Sequence, residues 1–315
     1  DLTKVISIDN FSNAEPASLD RIAAVSGVRI QNFDLDLCDY KALAAVFSLH
    51  PDISGVIHFA ALKSVGESVE QPIRYFQNNL TGLINLLQVM IESNVNRLIF
   101  SSSCSVYGNA EELPVTENTP LKEAESPYAR TKQMGEQIIS DVTHTHPSLR
   151  CAILRYFNPA GAHESGLIGE APFNKASNLV PVITETAIGK RGEMVVFGDD
   201  YGTRDGSCIR DYIHIMDLAD AHTRALDYLE SDKFSNKPEY FNLGIGQGVS
   251  VFEAIHAFEK ASGQQLNYKT GPRRPGDVIA VYADYRKAAE LLGWHPQRNI
   301  EDIMKTAWIW EQNRS

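Results

Sequence analysis

The 315-residue chain lacks most of the features that would assign it at a glance. Its four cysteines, Cys38, Cys104, Cys151 and Cys208, include no C-x-x-C pair. Neither a disulfide framework nor a zinc site is therefore indicated, and a reduced, cytoplasmic setting fits. Apolar stretches such as Ile57–Leu62 fall far short of the ~20 residues of a membrane span, so no membrane partner is expected. Basic residues number 29 against 40 acidic, a net charge of −11. A binder of phosphate backbones needs the opposite balance, which argues against nucleic acid. Low-complexity tracts, an internal repeat and a signal-peptide pattern are also missing.

What is present is a globular pattern, 43% hydrophobic and 22% charged, long enough for about two domains. Val5–Ile8, Val28–Phe33, Gly55–Ala61, Arg97–Phe100 and Cys151–Tyr156 read as strands, with Gly55–Ala61 a buried one. Helical spacing covers Ala17–Val25, Tyr40–Leu49, Pro72–Ser93 and Pro127–His146. Short strands alternating with longer helices predict right-handed βαβ units and an α/β fold with a doubly wound parallel, Rossmann-type sheet. Gly, Pro and Asn become frequent through Asn158–Asn178, before a helix Leu179–Gly189. The expected division is 1–158 for the sheet domain and 159–315 for a smaller α/β substrate domain, with some exchange of elements. Ligands of such sheets sit at the carboxyl ends of the strands.

One of those ends carries chemistry. The strand Arg97–Phe100 runs into Ser101–Gly108 (SSSCSVYG), and Ser126–Lys132 (SPYARTK) follows. Tyr128 and Lys132, at i and i+4 of a helix, lie on one face one turn apart. A free Tyr, with its pKa near ~10, is a poor base. A neighbouring ammonium lowers that value, and a strand-end Ser can hydrogen-bond the same reacting oxygen. Ser103, Tyr128 and Lys132 therefore form a candidate proton-abstraction site. His58 reads as a satisfied core histidine, and no further ligand joins His144 and His146 in a metal site. Gly244–Gly248 imitates a dinucleotide loop, but its G-x-G-x-G spacing reads as a turn in the second domain.

Further stretches extend the pattern: Val56–Ser68 (VIHFAALKSVGES), Leu154–His163 (LRYFNPAGAH), Arg210–Ala219 (RDYIHIMDLA), Asn242–Gly246 (NLGIG) and Arg273–Asp277 (RRPGD). With the Ser…Tyr-x-x-x-Lys set they resemble the extended short-chain dehydrogenase/reductase family and, within it, the UDP-glucose 4-epimerase group. That resemblance implies an NAD-dependent isomerase of galactose and carbohydrate metabolism that interconverts UDP-galactose and UDP-glucose at C4 through a 4-keto sugar. Tyr128 would take the 4′-hydroxyl proton, Ser103 would orient that hydroxyl, and Lys132 would touch the nicotinamide ribose and tune Tyr128. Asp9, at a strand end, would accept from the adenosine ribose hydroxyls, with Asn10 and Asn13 nearby and Asp36 and Leu37 flanking the adenine. Phe59, Ala60 and Lys63 would serve the diphosphate and nicotinamide side, joined by Asn78 and Tyr156. For the UDP-sugar the resemblance implies Asn158, Asn178, Leu179, Phe197 beside the uracil, Arg210 and Arg274 clamping the diphosphate, and Asp277. It also implies a homodimer through a four-helix interface built from the two long helices.

The chain departs from that pattern in several places. The acidic ribose contact stands at Asp9, so the Gly-rich turn that should precede it by about 20 residues would lie before residue 1. The first βα unit of the sheet is therefore expected to be missing, and this polypeptide is expected to bind NAD poorly and to fold marginally. Pro172–Ser177 (PFNKAS) lacks the usual wording before Asn178, and Cys104 and Ser105 stand where Ala-Thr is commoner. Val281 replaces the bulky Tyr of glucose-restricted relatives, which leaves room for UDP-N-acetylhexosamines. Other readings are a nucleotide-sugar dehydratase, which needs an acid beside the catalytic Ser, another NAD-dependent enzyme of nucleotide sugars, or an inactive, NAD-deficient homologue acting as a binding or regulatory protein.

Overall fold

An unbroken apolar run in a strand signals that both faces of the sheet are covered. Two strands show it, Leu98–Phe100 and Cys151–Leu154, all buried. The computed structural model describes residues 5–171, 176–235, 237–274 and 277–314. The first half runs β1 (Ile6–Ile8), α1 (Ala17–Ser26), β2 (Gln31–Phe33), α2 (Tyr40–Leu49), β3 (Val56–His58), α3 (Val65–Glu70) and α4 (Pro72–Phe76). A π-helical turn (Gln77–Thr81), α5 (Gly82–Glu92), β4 (Arg97–Ser103), a 3-10 turn (Cys104–Tyr107), α6 (Pro127–Thr145) and β5 (Arg150–Tyr156) complete it. The second half contains β6 (Asn158–Ala160), α7 (Leu179–Ala187), β7 (Met194–Phe197), β8 (Ile209–Arg210), β9 (Tyr212–His214), α8 (Ile215–Glu230) and β10 (Glu239–Leu243). It ends with β11 (Val249–Ser250), α9 (Val251–Ser262), β12 (Tyr268–Gly271), β13 (Ala280–Val281), α10 (Arg286–Leu292) and α11 (Ile300–Asn313).

The main sheet has the order β10-β5-β4-β3 and is parallel throughout. Alternate side chains of its central strands point to opposite faces. Leu98, Phe100, Cys151 and Ile153 pack with α2, α5 and α6. Ile99, Ala152 and Leu154 pack with α8 and α10 on the other face. The sheet is thus covered on both sides, as expected of the doubly wound class. β10 comes from the second half and joins beside β5. A separate core of Val180, Ile183, Val196, Phe258, Ile303 and Met304 holds α7, α9 and α11 together.

β1 and β2 form a parallel pair of their own, apart from the main sheet. Two sequence expectations need correction. Gly55–Ala61 is not a buried strand: β3 is hydrogen-bonded on one side only, and Ile57 and Phe59 are exposed. Pro72–Ser93 is not one helix, because the π turn Gln77–Thr81 interrupts it. Such turns displace one residue out of the helical ladder; here Asn79 falls within it and is buried. Among the described residues no helix is long and apolar enough to cross a membrane.

Candidate functional site

The site forms where α6 crosses the end of β4. Ser126 caps α6 by accepting from Ala129 N, and Pro127 occupies its first turn, which fixes where the helix begins. Gly135 lets this helix approach the sheet, because a Cβ there would stand 2.8 Å from the Phe100 ring. The approach brings Tyr128 and Lys132 over Ser101–Ser103. Lys132 is 5% exposed, and its Nζ donates to the Ser101 carbonyl at 2.7 Å. The same ammonium lies 5.2 Å from the Phe100 ring centroid and 5.9 Å from that of Tyr128.

Burial sets the protonation of both groups. It pushes the Lys132 ammonium down to about 8, with the Glu136 carboxylate working against it. It pushes the Tyr128 phenol up to about 12; a hydrogen bond with the Ser103 side chain opposes this and nearby Cys104 adds to it. This corrects the expectation that Lys132 by itself makes Tyr128 a better base. The ammonium is engaged with the Ser101 carbonyl, and burial is the largest influence on the phenol. Ser103 Oγ accepts from Ser105 N at 3.2 Å and from Ser105 Oγ at 3.0 Å, which leaves its proton to be directed toward the Tyr128 side. Ser105 is thus an orienting residue that the sequence reading treated only as a departure.

The surroundings resolve other expectations. His58 is buried, stacks on Phe100 at 5.9 Å, and is held down to about 3 by burial and by the Lys132 charge. It is the neutral core histidine anticipated. Burial raises the Cys104 thiol to about 12, so it is a packed, unreactive group. Tyr156 hydrogen-bonds His222 Nε2 at 2.5 Å, while His222 Nδ1 lies 2.7 Å from the Leu218 carbonyl. The carbonyl can only accept, so His222 donates from Nδ1 and receives the Tyr156 hydroxyl at Nε2. Its ring also packs 4.8 Å from Phe59, which is 59% exposed at the tip of β3 with Ala60 beside it. His222 went unnoticed in the sequence; its one local signal is the i+4 spacing from Leu218.

The remaining cofactor candidates divide into two groups. Asp9, Asn10 and Asp36 meet at the carboxyl ends of β1 and β2: Asn10 Nδ2 donates to Asp36 Oδ2 at 3.2 Å, and Asp9 Oδ1 accepts from Phe11 N at 2.8 Å. Asn13 lies in the following turn, and Leu37 packs against α5. At the second group, Asn79 Nδ2 donates to Leu62 O at 3.0 Å and to Thr131 Oγ1 at 3.1 Å, while its Oδ1 accepts from Leu62 N at 2.8 Å. Asn79 thereby ties the loop after β3 to α6. Asn78 contributes a hydrogen bond to Asn79 at 3.0 Å.

Across the cleft, Glu170 Oε1 accepts from Asn178 Nδ2 at 3.0 Å and lies 3.5 Å from Lys63 Nζ. Asn178 leads into α7, whose first residue is Leu179. Most of the loop before it, including Pro172–Lys175, lies outside the described residues. Asn158 Oδ1 is buried with no hydrogen-bond partner among the described residues, the mark of a group awaiting an outside partner. Asp277 stands between two arginines, 2.7 Å from Arg274 Nη2 and 3.6 Å from Arg210 Nη2. Arg274 also lies 5.6 Å from the ring centroid of Phe197. Val281 pairs in register with Arg210 and packs with Val106 and Phe157.

The glycine decoy has a physical explanation. Asp211, fully buried, accepts from Ile245 N at 2.7 Å and from Gly246 N and Ala283 N at 3.0 Å each. A Cβ on Gly244 would stand 2.4 Å from Asp211 Oδ2. The loop cradles the protein's own carboxylate, which burial nonetheless pushes up to about 6. Among the described residues no His, Cys, Asp and Glu cluster could hold a metal.

Comparison with known proteins identifies the family. Residues 2–307 match the family model described as GDP-mannose 4,6 dehydratase. The chain is 46% identical over 307 residues to the UDP-glucose 4-epimerase of Erwinia amylovora, covering 98% of this chain and 90% of that protein. It superposes on the Bifidobacterium longum UDP-glucose 4-epimerase, solved with NAD+ and UDP, with a TM-score of 0.93 and 45% identity over 98% of this chain and 91% of that one. The Campylobacter jejuni UDP-Glc/GlcNAc 4-epimerase aligns with a TM-score of 0.82 and 37% identity over 97% and 91% of the two chains.

Proposed function

The chain belongs to the UDP-glucose 4-epimerase family, and we propose that Ser103, Tyr128 and Lys132 carry its chemistry. The enzyme is an isomerase that interconverts UDP-galactose and UDP-glucose at C4 through a 4-keto sugar. NAD, when bound, would supply a reversible acceptor for the C4 hydride. Tyr128 takes the 4′-hydroxyl proton and gives it back, Ser103 donates to the same sugar oxygen, and Lys132 holds its charge behind the phenol. The observation that carries this reading is the buried ammonium anchored on Ser101 O beneath Tyr128, at the carboxyl end of a parallel sheet.

The donor set fits NAD at both ends. Asp9 keeps a carboxylate oxygen without a partner among the described residues, beside Asn10 and Asp36. Phe59 leaves its ring open beside His222, which Tyr156 also meets, and Lys63 supplies a cation for the diphosphate. Residues 1–158 would form the NAD half and 159–315 the UDP-sugar half, with β10 exchanged. The orphan Asn158, with Asn178, Leu179, Phe197, Arg210, Arg274 and Asp277, would hold the UDP-sugar. The two arginines suit a diphosphate because each guanidinium offers a fork of donors.

Dehydration is the weaker reading, although the matching family model bears that name. It needs an acid beside the catalytic Ser, and Cys104 and Ser105 supply none. Val281 leaves the sugar end open to an N-acetyl group, which adds UDP-N-acetylhexosamines to the substrates. Apolar Ile84, Ile91, Ile138 and Val142 line a groove between α5 and α6, where two copies would pack four helices into a homodimer. Free cysteines throughout support a cytoplasmic enzyme. Conversion of UDP-galactose to UDP-glucose by the chain, without consumption of added NAD, tests the reading. Tyr128→Phe should lower kcat by about 10³-fold or more with an unchanged circular-dichroism spectrum; a Tyr128→Phe enzyme retaining more than a tenth of wild-type kcat would sink it.

A further inference from the structure

Behind the catalytic trio lies a charged group that the reaction as written does not use. Glu136 continues the face of α6 that carries Tyr128 and Lys132, one turn further on, and is 3% exposed. Arg155 on β5 is 4% exposed and meets both Glu136 oxygens, Nε to Oε1 at 2.9 Å and Nη2 to Oε2 at 2.7 Å. Ser102 Oγ, the neighbour of the catalytic Ser103, donates to Glu136 Oε1 at 2.6 Å. Arg155 Nη1 donates to Tyr107 OH at 2.9 Å, and that hydroxyl donates to Asn242 Oδ1 at 2.6 Å. The guanidinium is packed between the rings of Tyr107 and Tyr240, 5.0 and 4.7 Å from their centroids.

A buried ion pair is poorly explained by stability, since a well-packed apolar pair of similar volume is commonly as stable or more so. Its placement offers another reason. Lys132, Arg155 and Glu136 together carry one net positive charge in a region closed to water, and the Tyr128 phenol abuts it. Loss of the phenol proton brings the cluster to neutrality. Without Arg155 the cluster would start neutral, and the phenolate would leave it negative.

Resting on the epimerase reading, we propose that Glu136 and Arg155 are positioning residues that set the charge balance behind Lys132 and so the pH at which Tyr128 takes the substrate proton. The other elements around Tyr128 bring groups whose own charge stays the same in the variants below. His58 from β3, Tyr156 from β5, Cys104 and Tyr107 from the 3-10 turn and Tyr240 from β10 are held neutral by burial. Glu117, in the loop before α6, accepts from Asn242 N, and Arg210 and Asp211 from the β8–β9 segment face Cys104. Eight residues of helix separate Tyr128 from Glu136, about 12 Å along its axis. At an effective dielectric constant of about 20, one unit charge at that distance moves a titration by about one pH unit.

The test is the pH dependence of kcat for UDP-galactose conversion by the full chain. Glu136→Gln removes a negative charge and should move the acidic limb down by about one pH unit. Arg155→Met removes a positive charge and should move it up by a similar amount. The double variant E136Q/R155M should return to the wild-type position, and Arg155→Lys should stay there. Arg155→Met leaves a buried carboxylate unpaired, which destabilises the fold, so the double variant keeps the test alive if the single one unfolds. Purely structural residues would lower kcat in step with thermal stability and leave the limb unmoved, and that outcome overturns the proposal. If the wild-type chain saturated with added NAD shows no epimerisation, the functional reading fails instead. Ultraviolet titration of the Tyr128 phenolate, taken as the difference between each protein and its Tyr128→Phe form, still reads the opposite shifts or their absence.

Discussion

Gly135→Ala probes whether the close approach of helix and sheet is what assembles the active site. The new methyl would stand 2.8 Å from Phe100 Cζ and 3.3 Å from Leu83 Cδ2, where ordinary contact begins at 3.4 Å. Phe100 is buried and carries the Lys132 ammonium over its ring, so it has little room to yield. The helix must then lift by roughly the difference, 3.4 minus 2.8, or about 0.6 Å. Overpacking of this kind costs about 1–3 kcal/mol, while Ala gains about 1 kcal/mol over Gly in a helix interior. The net loss is about 0–2 kcal/mol, a fall of a few degrees in Tm. Activity should suffer more than stability. Lys132 is held to Ser101 O at 2.7 Å, and misplacing a reacting group by about 1 Å can cost 10²-fold. We expect kcat to drop about 10-fold or more while the thermal transition remains cooperative. Both are read from UDP-galactose conversion and calorimetry. A Gly135→Ala enzyme as active as the wild type would refute the idea that this contact places Lys132.

Two further outcomes follow from the same geometry. His58 is neutral in the folded chain down to about pH 3 but charges near ~6.5 when unfolded. Its folded-state value is depressed, so its contribution is full above ~6.5 and is lost as pH falls toward 3, by a few kcal/mol in all. His58→Phe should flatten that part of the Tm–pH curve, and an unchanged slope would contradict the assignment. Val281→Tyr should lower turnover of UDP-N-acetylglucosamine at least 10-fold more than that of UDP-glucose, since the larger ring beside Arg210 would fill the space that valine leaves to the N-acetyl group. Equal losses for both sugars would remove Val281 from the sugar pocket.

Much of the fold is readable from local periodicity. Tyr40–Leu49 is helical over the range its spacing implies, and Pro127–Thr145 falls one residue short of it. The strand at Cys151 begins one residue earlier than its apolar run. The failures have a common cause. Gly55–Ala61 looks buried because it is apolar, but its exposure depends on which strand stands beside it. The break in Pro72–Ser93 comes from Asn79, whose partners Leu62 and Thr131 lie 17 and 52 positions away. His222 meets Tyr156 across 66 positions and Glu170 meets Lys63 across 107. Pairings of that range leave no period in a sequence.

The amino-acid sequence by itself determined the helix that presents Tyr128 and Lys132, the strand that ends in Ser103, and the family to which they belong. Helix and strand spacing depend on neighbours a few residues apart, so these are local facts. Tertiary structure decided the electrical state of the site. Two groups that suggest a lowered tyrosine in sequence become a raised phenol and a lowered ammonium once both are buried. The Glu136–Arg155 pair behind them forms only when α6 is laid across β5. Desolvation and charge act through space, and only the folded chain fixes the distances on which they depend.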